Sequence, residues 1–164
     1  MREEDLPDPE AFSRFHPFIK GVFSQWHPTR FTVGDETFVN AEQWMMVQKA
    51  RLFADHGVAS AIMAADDPAV QKRLGQTVSG FDDDVWRAHR VDVVHQCNLA
   101  KFRQNEGAGR QLKATAPAML IEANPRDWNW GNGLALDDPG NHDPGAWKGR
   151  NLLGRILTLV RDEV

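Results

Sequence analysis

Tyrosine is absent from these 164 residues, and cysteine occurs once, as Cys97. A single cysteine excludes an internal disulfide and a CxxC metal site. Cys97 lies in a strong helical pattern, where a thiol reads as a small buried hydrophobe in preference to a nucleophile. No apolar run reaches the roughly 18 residues of a membrane span. Several signatures are also missing. No GxGxxG follows a strand and no GxxxxGK[ST] occurs, so Rossmann and P-loop readings fail, and neither HExxH nor a GxSxG elbow is present. The six histidines are scattered, and His89 and His95 are spaced poorly for one helical metal site. We expect no metal and no cofactor. An excess of positive charge is lacking too. Lys and Arg total 19 against 23 Asp and Glu, for a net charge of -4. That argues against sequence-independent binding to nucleic-acid phosphates and leaves only a local basic patch. The acidic start, "MREEDLPDPE", is not signal-like, so a cytoplasmic protein is expected.

What remains is an ordinary globular composition, with 41% hydrophobic and 26% charged residues, and an unusual supply of six tryptophans. Residues 1–14 are charged and Pro-rich and read as a loose tail, leaving 15–164 as one domain with a real core. "RFTVGDETFVN" reads as a hairpin about Gly34-Asp35. Asn40 caps a helix, "AEQWMMVQKARLF", that runs to about Asp55 with Glu42 in its first turn. A short helix follows around 59–65. Asp67 and Pro68 open another, which Gly75 ends. "FDDDVWRAHRVDVVHQCNLAKFRQN" is the longest helical signal. Trp86, Val93, Cys97 and Ala100 share its apolar face, and Gly107 and Gly109 stop it. "AMLIEA" reads as a short buried strand, and "NLLGRILTLVRDEV" as a last helix with Leu152, Ile156 and Leu159 as its stripe. The expected class is α+β, mainly helical with a small sheet.

Three stretches carry candidate chemistry. On the helix after Asn40, Glu42 and Lys49 are seven residues apart, on one face and about 10 Å apart along the axis. Met46 and Phe53 share that face. Two opposite charges there fit a partly exposed face with snorkelling side chains. They also fit a pocket wall where a carboxylate moves protons and a desolvated lysine acts as nucleophile. "FSQWHP", residues 23–28, places Ser24 and Gln25 between Phe23 and Trp26. It suits stacking on a ring whose edge is hydrogen-bonded, or an ordinary turn with its aromatics in the core. "DWNWGNG", residues 127–133, sets two tryptophans among turn-forming residues, as a wall for a flat or sugar-bearing ligand would. Glu122 and Asp127 flank it as carboxylates for sugar hydroxyls, although Asp127 equally suits an Asx turn. Lys101, Arg103 and Lys113 read as solvated charges, or at best phosphate contacts.

The runs "FSQWHPTRF", "FVNAEQWMMVQKARLF", "WRAHRVDVVHQCNLAKFRQN", "LIEANPRDWNWGNGL" and "WKGRNLLGRIL" together resemble the YbiA-like or NADAR family. The resemblance implies a YbiA-like α+β fold and cleavage of an N-glycosidic bond to ribose. One branch hydrolyses phosphoribosylamino-pyrimidine intermediates of riboflavin synthesis. The other removes ADP-ribose from guanine bases, which implies functional pairing with an ADP-ribosyltransferase and a guanine substrate in nucleic acid. The family's glutamate and lysine match Glu42 and Lys49, with Lys20 the runner-up for the amine that would form a Schiff base. Substrate-binding positions match Phe23, Ser24, Gln25, Trp26, Trp86, Glu122, Asp127, Trp130, Gly131 and Asn151. Some members read WGDGG where this chain has "WGNGL", and a histidine where it has Ala123. Both departures weigh against the riboflavin-intermediate substrate. The alternative is a non-catalytic module that binds ADP-ribose or a nucleotide.

Overall fold

The hairpin forms where Gly34 takes a left-handed φ of 63°. It joins β2 (Phe31–Val33) to β3 (Glu36–Phe38), antiparallel, with Phe31 opposite Phe38. Those two rings stack at 5.7 Å, and Phe38 meets Trp44 edge-on at 5.1 Å. This computed structural model describes Met1–Val164 throughout. Its residues group into two units, Gln25–Asn105 and a second built from Arg2–Ser24 with Glu106–Val164. The class is α+β, and no helix is long and apolar enough to cross a membrane.

In the first unit, Asn40 caps α1 (Ala41–Leu52) by accepting from the Gln43 N–H at 2.8 Å. Gln43 then secures the neighbouring backbone. Its Oε1 accepts from Val39 N at 2.9 Å, and its Nε2 donates to the carbonyls of Ile62, Met63 and Ala65. Those carbonyls lie at and beyond the end of α2 (His56–Met63), where helical partners run out. Asp67 caps α3 (Pro68–Gly75) with Pro68 in its first turn, as the sequence predicts. Asp82 caps α4 (Asp83–Gln104). The buried face of α4 carries Trp86, Arg90, Val94, Cys97, Asn98 and Lys101. Val93 and Ala100, expected on that face, are only half-buried. The helix also ends earlier than expected. Asn105 is extended, and its Nδ2 donates to the carbonyls of Arg30 and Lys101 at 2.8 and 2.9 Å. That side chain closes the helix, so the glycines have no stopping role.

In the second unit, Gly107 and Gly109 lie inside α5 (Glu106–Lys113). A strand the sequence reading did not foresee, β1 (Phe15–Phe18), pairs in parallel with β4 (Met119–Glu122). Pro17 is compatible because a two-stranded sheet has only edges. The strands therefore make two separate pairs where one small sheet was expected. Helix α6 (Leu152–Glu163) packs on β4 through Leu152, Leu153, Ile156, Leu157 and Val160. Leu159, expected in the stripe, is half-buried. Gly154 is required here, since a Cβ would run into the Leu120 carbonyl. The segment expected to be a loose tail forms two short 3-10 turns, at Glu3–Asp5 and Pro9–Ala11, and buries Leu6. Arg155 holds it by donating to the Pro7 and Glu3 carbonyls at 2.9 and 3.2 Å.

Candidate active site

Glu42 stands in the first turn of α1. Glu42 is only 4% exposed, and its backbone N–H donates to the Gln25 carbonyl at 3.1 Å. Two turns on, Lys49 is half-buried. Its ammonium lies over the Phe81 ring at 4.6 Å, and Phe81 meets Phe53 edge-on at 5.3 Å. Burial pushes the Lys49 amine below the ordinary lysine range, while the Glu42 and Asp83 carboxylates oppose it. Desolvation disfavours the ammonium, whereas a cation–π contact and two carboxylates favour it. Desolvation is the largest of these, so a larger fraction of neutral amine is present than in water. Glu42 is thus buried rather than extended into solvent, unlike a snorkelling side chain.

The residues preceding α1 divide. Gln25 is buried, and its Oε1 accepts from Asn98 Nδ2 at 2.9 Å. Trp26 is 43% exposed, whereas Trp86, in the first turns of α4, is buried. Phe23 and Ser24 are half-buried in the second unit, where Phe23 meets Phe18 and His16 edge-on at 5.6 and 5.8 Å. Lys20 in that unit is exposed.

The tryptophan loop is built from side-chain-to-backbone bonds. Asp127 Oδ1 accepts from the N–H groups of Asn129 and Trp130 at 2.9 and 2.8 Å, the Asx-turn alternative. Trp128 is 57% exposed, with its indole N–H donating to the Pro125 carbonyl at 3.2 Å, while Trp130 is half-buried. Gly131 cannot be replaced without movement, since a Cβ would sit 2.8 Å from the Asp127 carbonyl oxygen and 2.9 Å from that of Glu122. Asn151 is fully buried with a left-handed φ of 52°. Its Oδ1 accepts from Glu122 N at 2.9 Å and its Nδ2 donates to Leu120 O at 3.0 Å. Both arms of Asn151 hold the strand that carries Glu122. Asn132 is equally occupied, donating to Asn141 Oδ1 at 2.7 Å and accepting from Leu134 N at 3.1 Å.

Residues 11–164 match the NADAR domain. The chain belongs to the NADAR family. Among its relatives in that family, N-glycosidase R617 of Acanthamoeba polyphaga mimivirus is 37% identical over 147 residues, covering 87% of this chain and 86% of that protein. The riboflavin biosynthesis protein VVA0006 of Vibrio vulnificus (strain YJ016) is 31% identical over 88% of this chain, which spans 35% of that longer protein. The NMR structure of the Escherichia coli protein YbiA superposes with a TM-score of 0.76 at 28% identity, covering 92% of this chain and 84% of that one. In sequence the same protein, N-glycosidase YbiA of strain K12, is 29% identical over 144 residues.

Two buried groups of this NADAR chain escaped the sequence reading. Lys101 is not a solvated charge; it is fully buried on α4. Desolvation brings its amine down to about 8, opposed by Cys97. Cys97 itself is buried, which pushes its thiol up to about 12 and leaves it a poor nucleophile. The four-residue spacing from Cys97 was the available signal for Lys101. Arg103 and Lys113 are exposed, as expected. Asn98, beside Cys97, lies within a motif run but carries no candidate chemistry in the sequence.

Proposed function

We propose that this chain is an N-glycosidase that hydrolyses the bond between C1 of a ribose and a base nitrogen, with Glu42 and Lys49 as its catalytic residues. The enzyme class, a hydrolase acting on N-glycosyl bonds, is supported by the family and by the names of the mimivirus and E. coli relatives. The observation that carries the residue assignment is the pairing on α1 of a buried carboxyl with an amine held below its ordinary pKa by burial. A binding module has no need of both.

The chemistry follows from those two groups. In the ring-opened substrate, C1 is doubly bonded to the base nitrogen. The neutral amine of Lys49 adds to C1. The bond from C1 to the base then breaks as Glu42 gives its proton to the departing nitrogen. The imine left on Lys49 is attacked by water, which returns a proton to Glu42 and frees the amine and the sugar. Water and N-riboside become base and ribose, with no redox change. Substrate contacts are proposed for Phe23, Ser24, Trp26, Trp86, Glu122 and Trp130, with Asp127, Gly131 and Asn151 shaping the backbone around the last two.

The proposed substrate is ADP-ribosylated guanine, free or within nucleic acid, which would pair the enzyme with an ADP-ribosyltransferase. Phosphoribosylamino-pyrimidines are the second candidate. Asn132 and Ala123, which stand where some members carry aspartate and histidine, are both fully buried. The experiment is incubation with ADP-ribosylated guanosine and with a phosphoribosylamino-pyrimidine, scoring released sugar. Release from the first substrate alone is expected. No release from either, with tight ADP-ribose binding, would establish a non-catalytic reader.

A further inference from the structure

Gln25 is 7% exposed and bonded at two points to the protein around Glu42. Its backbone carbonyl accepts from the Glu42 N–H at 3.1 Å, one of the first-turn donors that have no helical partner. Its side-chain Oε1 accepts from Asn98 Nδ2 at 2.9 Å. Asn98, with no exposed surface, is itself fixed, because the same Nδ2 donates to the Val94 carbonyl at 2.9 Å, one turn back on α4. A carbonyl can only accept, so the Asn98 nitrogen must face it, and Gln25 must turn its oxygen, not its nitrogen, toward α4. The Gln25 amide also lies against the Cys97 thiol, which in turn feels the Glu42 carboxylate. The start of α1 is thereby strapped to α4 through one residue.

We infer that Asn98 is a positioning residue for the hydrolysis: through Gln25 it fixes the first turn of α1 and so the place from which Glu42 delivers its proton. This rests on the proposed role of Glu42. No substrate contact is assigned to Asn98 or Gln25. The distinction is measurable, because a lost substrate contact raises KM, whereas a displaced proton donor lowers kcat with KM unchanged. Small misplacements of a catalytic group are costly, up to about 100-fold for about 1 Å.

The test is the steady-state kinetics of Asn98→Leu, Gln25→Met and Glu42→Gln, singly and with each of the first two combined with Glu42→Gln, alongside melting curves. Asn98→Leu and Gln25→Met are expected to lower kcat by about 10-fold or more with KM within about twofold. In the Glu42→Gln background neither should lower the residual rate further, since both act through that carboxyl. An unchanged kcat in folded Asn98→Leu, a raised KM at constant kcat, or losses that add to those of Glu42→Gln would overturn the inference. Should Asn98→Leu not fold, Gln25→Met decides, because it leaves α4 intact. Full turnover in Glu42→Gln would instead overturn the assignment of the proton donor, and the strap's catalytic role with it.

Discussion

Helix α1 and the loop of residues 127–133 both carry residues that suggest chemistry, and they are made in opposite ways. On α1 the backbone is regular, and the side chains are unusual for their surroundings: a buried carboxyl at its start, and an amine whose burial opposes its charge. In the loop the side chains serve the backbone. Asp127 and Asn132 bond to main chain, Gly131 leaves no room for a Cβ, and Trp128 extends into solvent. A regular element can thus hold tuned ionisable groups, while an irregular one holds a shape. Substitutions on α1 should alter chemistry with little effect on folding, and those in the loop should alter binding or folding.

The comparison is tested most sharply by Glu42→Gln and Lys49→Arg. Glu42→Gln is expected to lower turnover by about 10²–10⁴-fold, the usual worth of a positioned proton donor, with circular-dichroism melting nearly unchanged. Near-normal turnover would break it. Lys49→Arg should be inactive, because a guanidinium keeps its charge and cannot form an imine. Borohydride should trap the wild-type intermediate and add the sugar mass to a peptide containing Lys49; an adduct on Lys20 would move the nucleophile off α1.

The pH profile is the next largest effect. Activity requires a neutral amine and a protonated carboxyl, so kcat should be bell-shaped. Because burial lowers the Lys49 pKa, the break in the profile that Lys49 sets should lie below the ordinary lysine value of 10.5. Phe81→Ala exposes that amine and should move that break upward; a profile with neither break moved would mean Lys49 is not what titrates.

Gly131→Ala should destabilise the protein, because its Cβ would meet two carbonyl oxygens at under 3 Å. A drop of several degrees in melting temperature is expected, with turnover per folded molecule little changed. The smallest effect is that of Trp130→Ala, about tenfold in KM, on the scale of one lost aromatic contact. A large loss of melting temperature with unchanged KM would show that indole to be core.

The legible parts of the fold were those written locally. Asn40 and Glu42 mark the start of α1, Asp67-Pro68 that of α3, and Gly34 the hairpin, each within a few residues. The parts that failed depend on distant partners. Strand β1 exists because β4 pairs with it, and nothing within "FHPF" announces that. The end of α4 is set by an Asn105 bond to Arg30, far back in the chain, so the nearby glycines misled. Within the candidate site, the spacing of Glu42 and Lys49 was readable, but their burial was not. Lys101 was misread because a charge in a sequence is assumed to meet water, and only the packed face of α4 reveals otherwise.

That buried lysine and its neighbour Cys97 give the folded chain an unusual proton inventory at alkaline pH. The Lys101 amine loses its proton at about pH 8 when folded but at its ordinary 10.5 when unfolded. Between those values unfolding takes up a proton, so raising the pH favours the native state. The Cys97 thiol runs the other way. It keeps its proton to about 12 when folded but only to 9.0 when unfolded, so from 9.0 upward unfolding releases one and raising the pH favours the denatured chain. These two groups together predict a contribution to stability that climbs from about pH 8 to 9, is level to about 10.5 where uptake and release cancel, and then falls. Lys101→Met should remove the climb and Cys97→Ala the fall, each readable as a change in how melting temperature varies with pH.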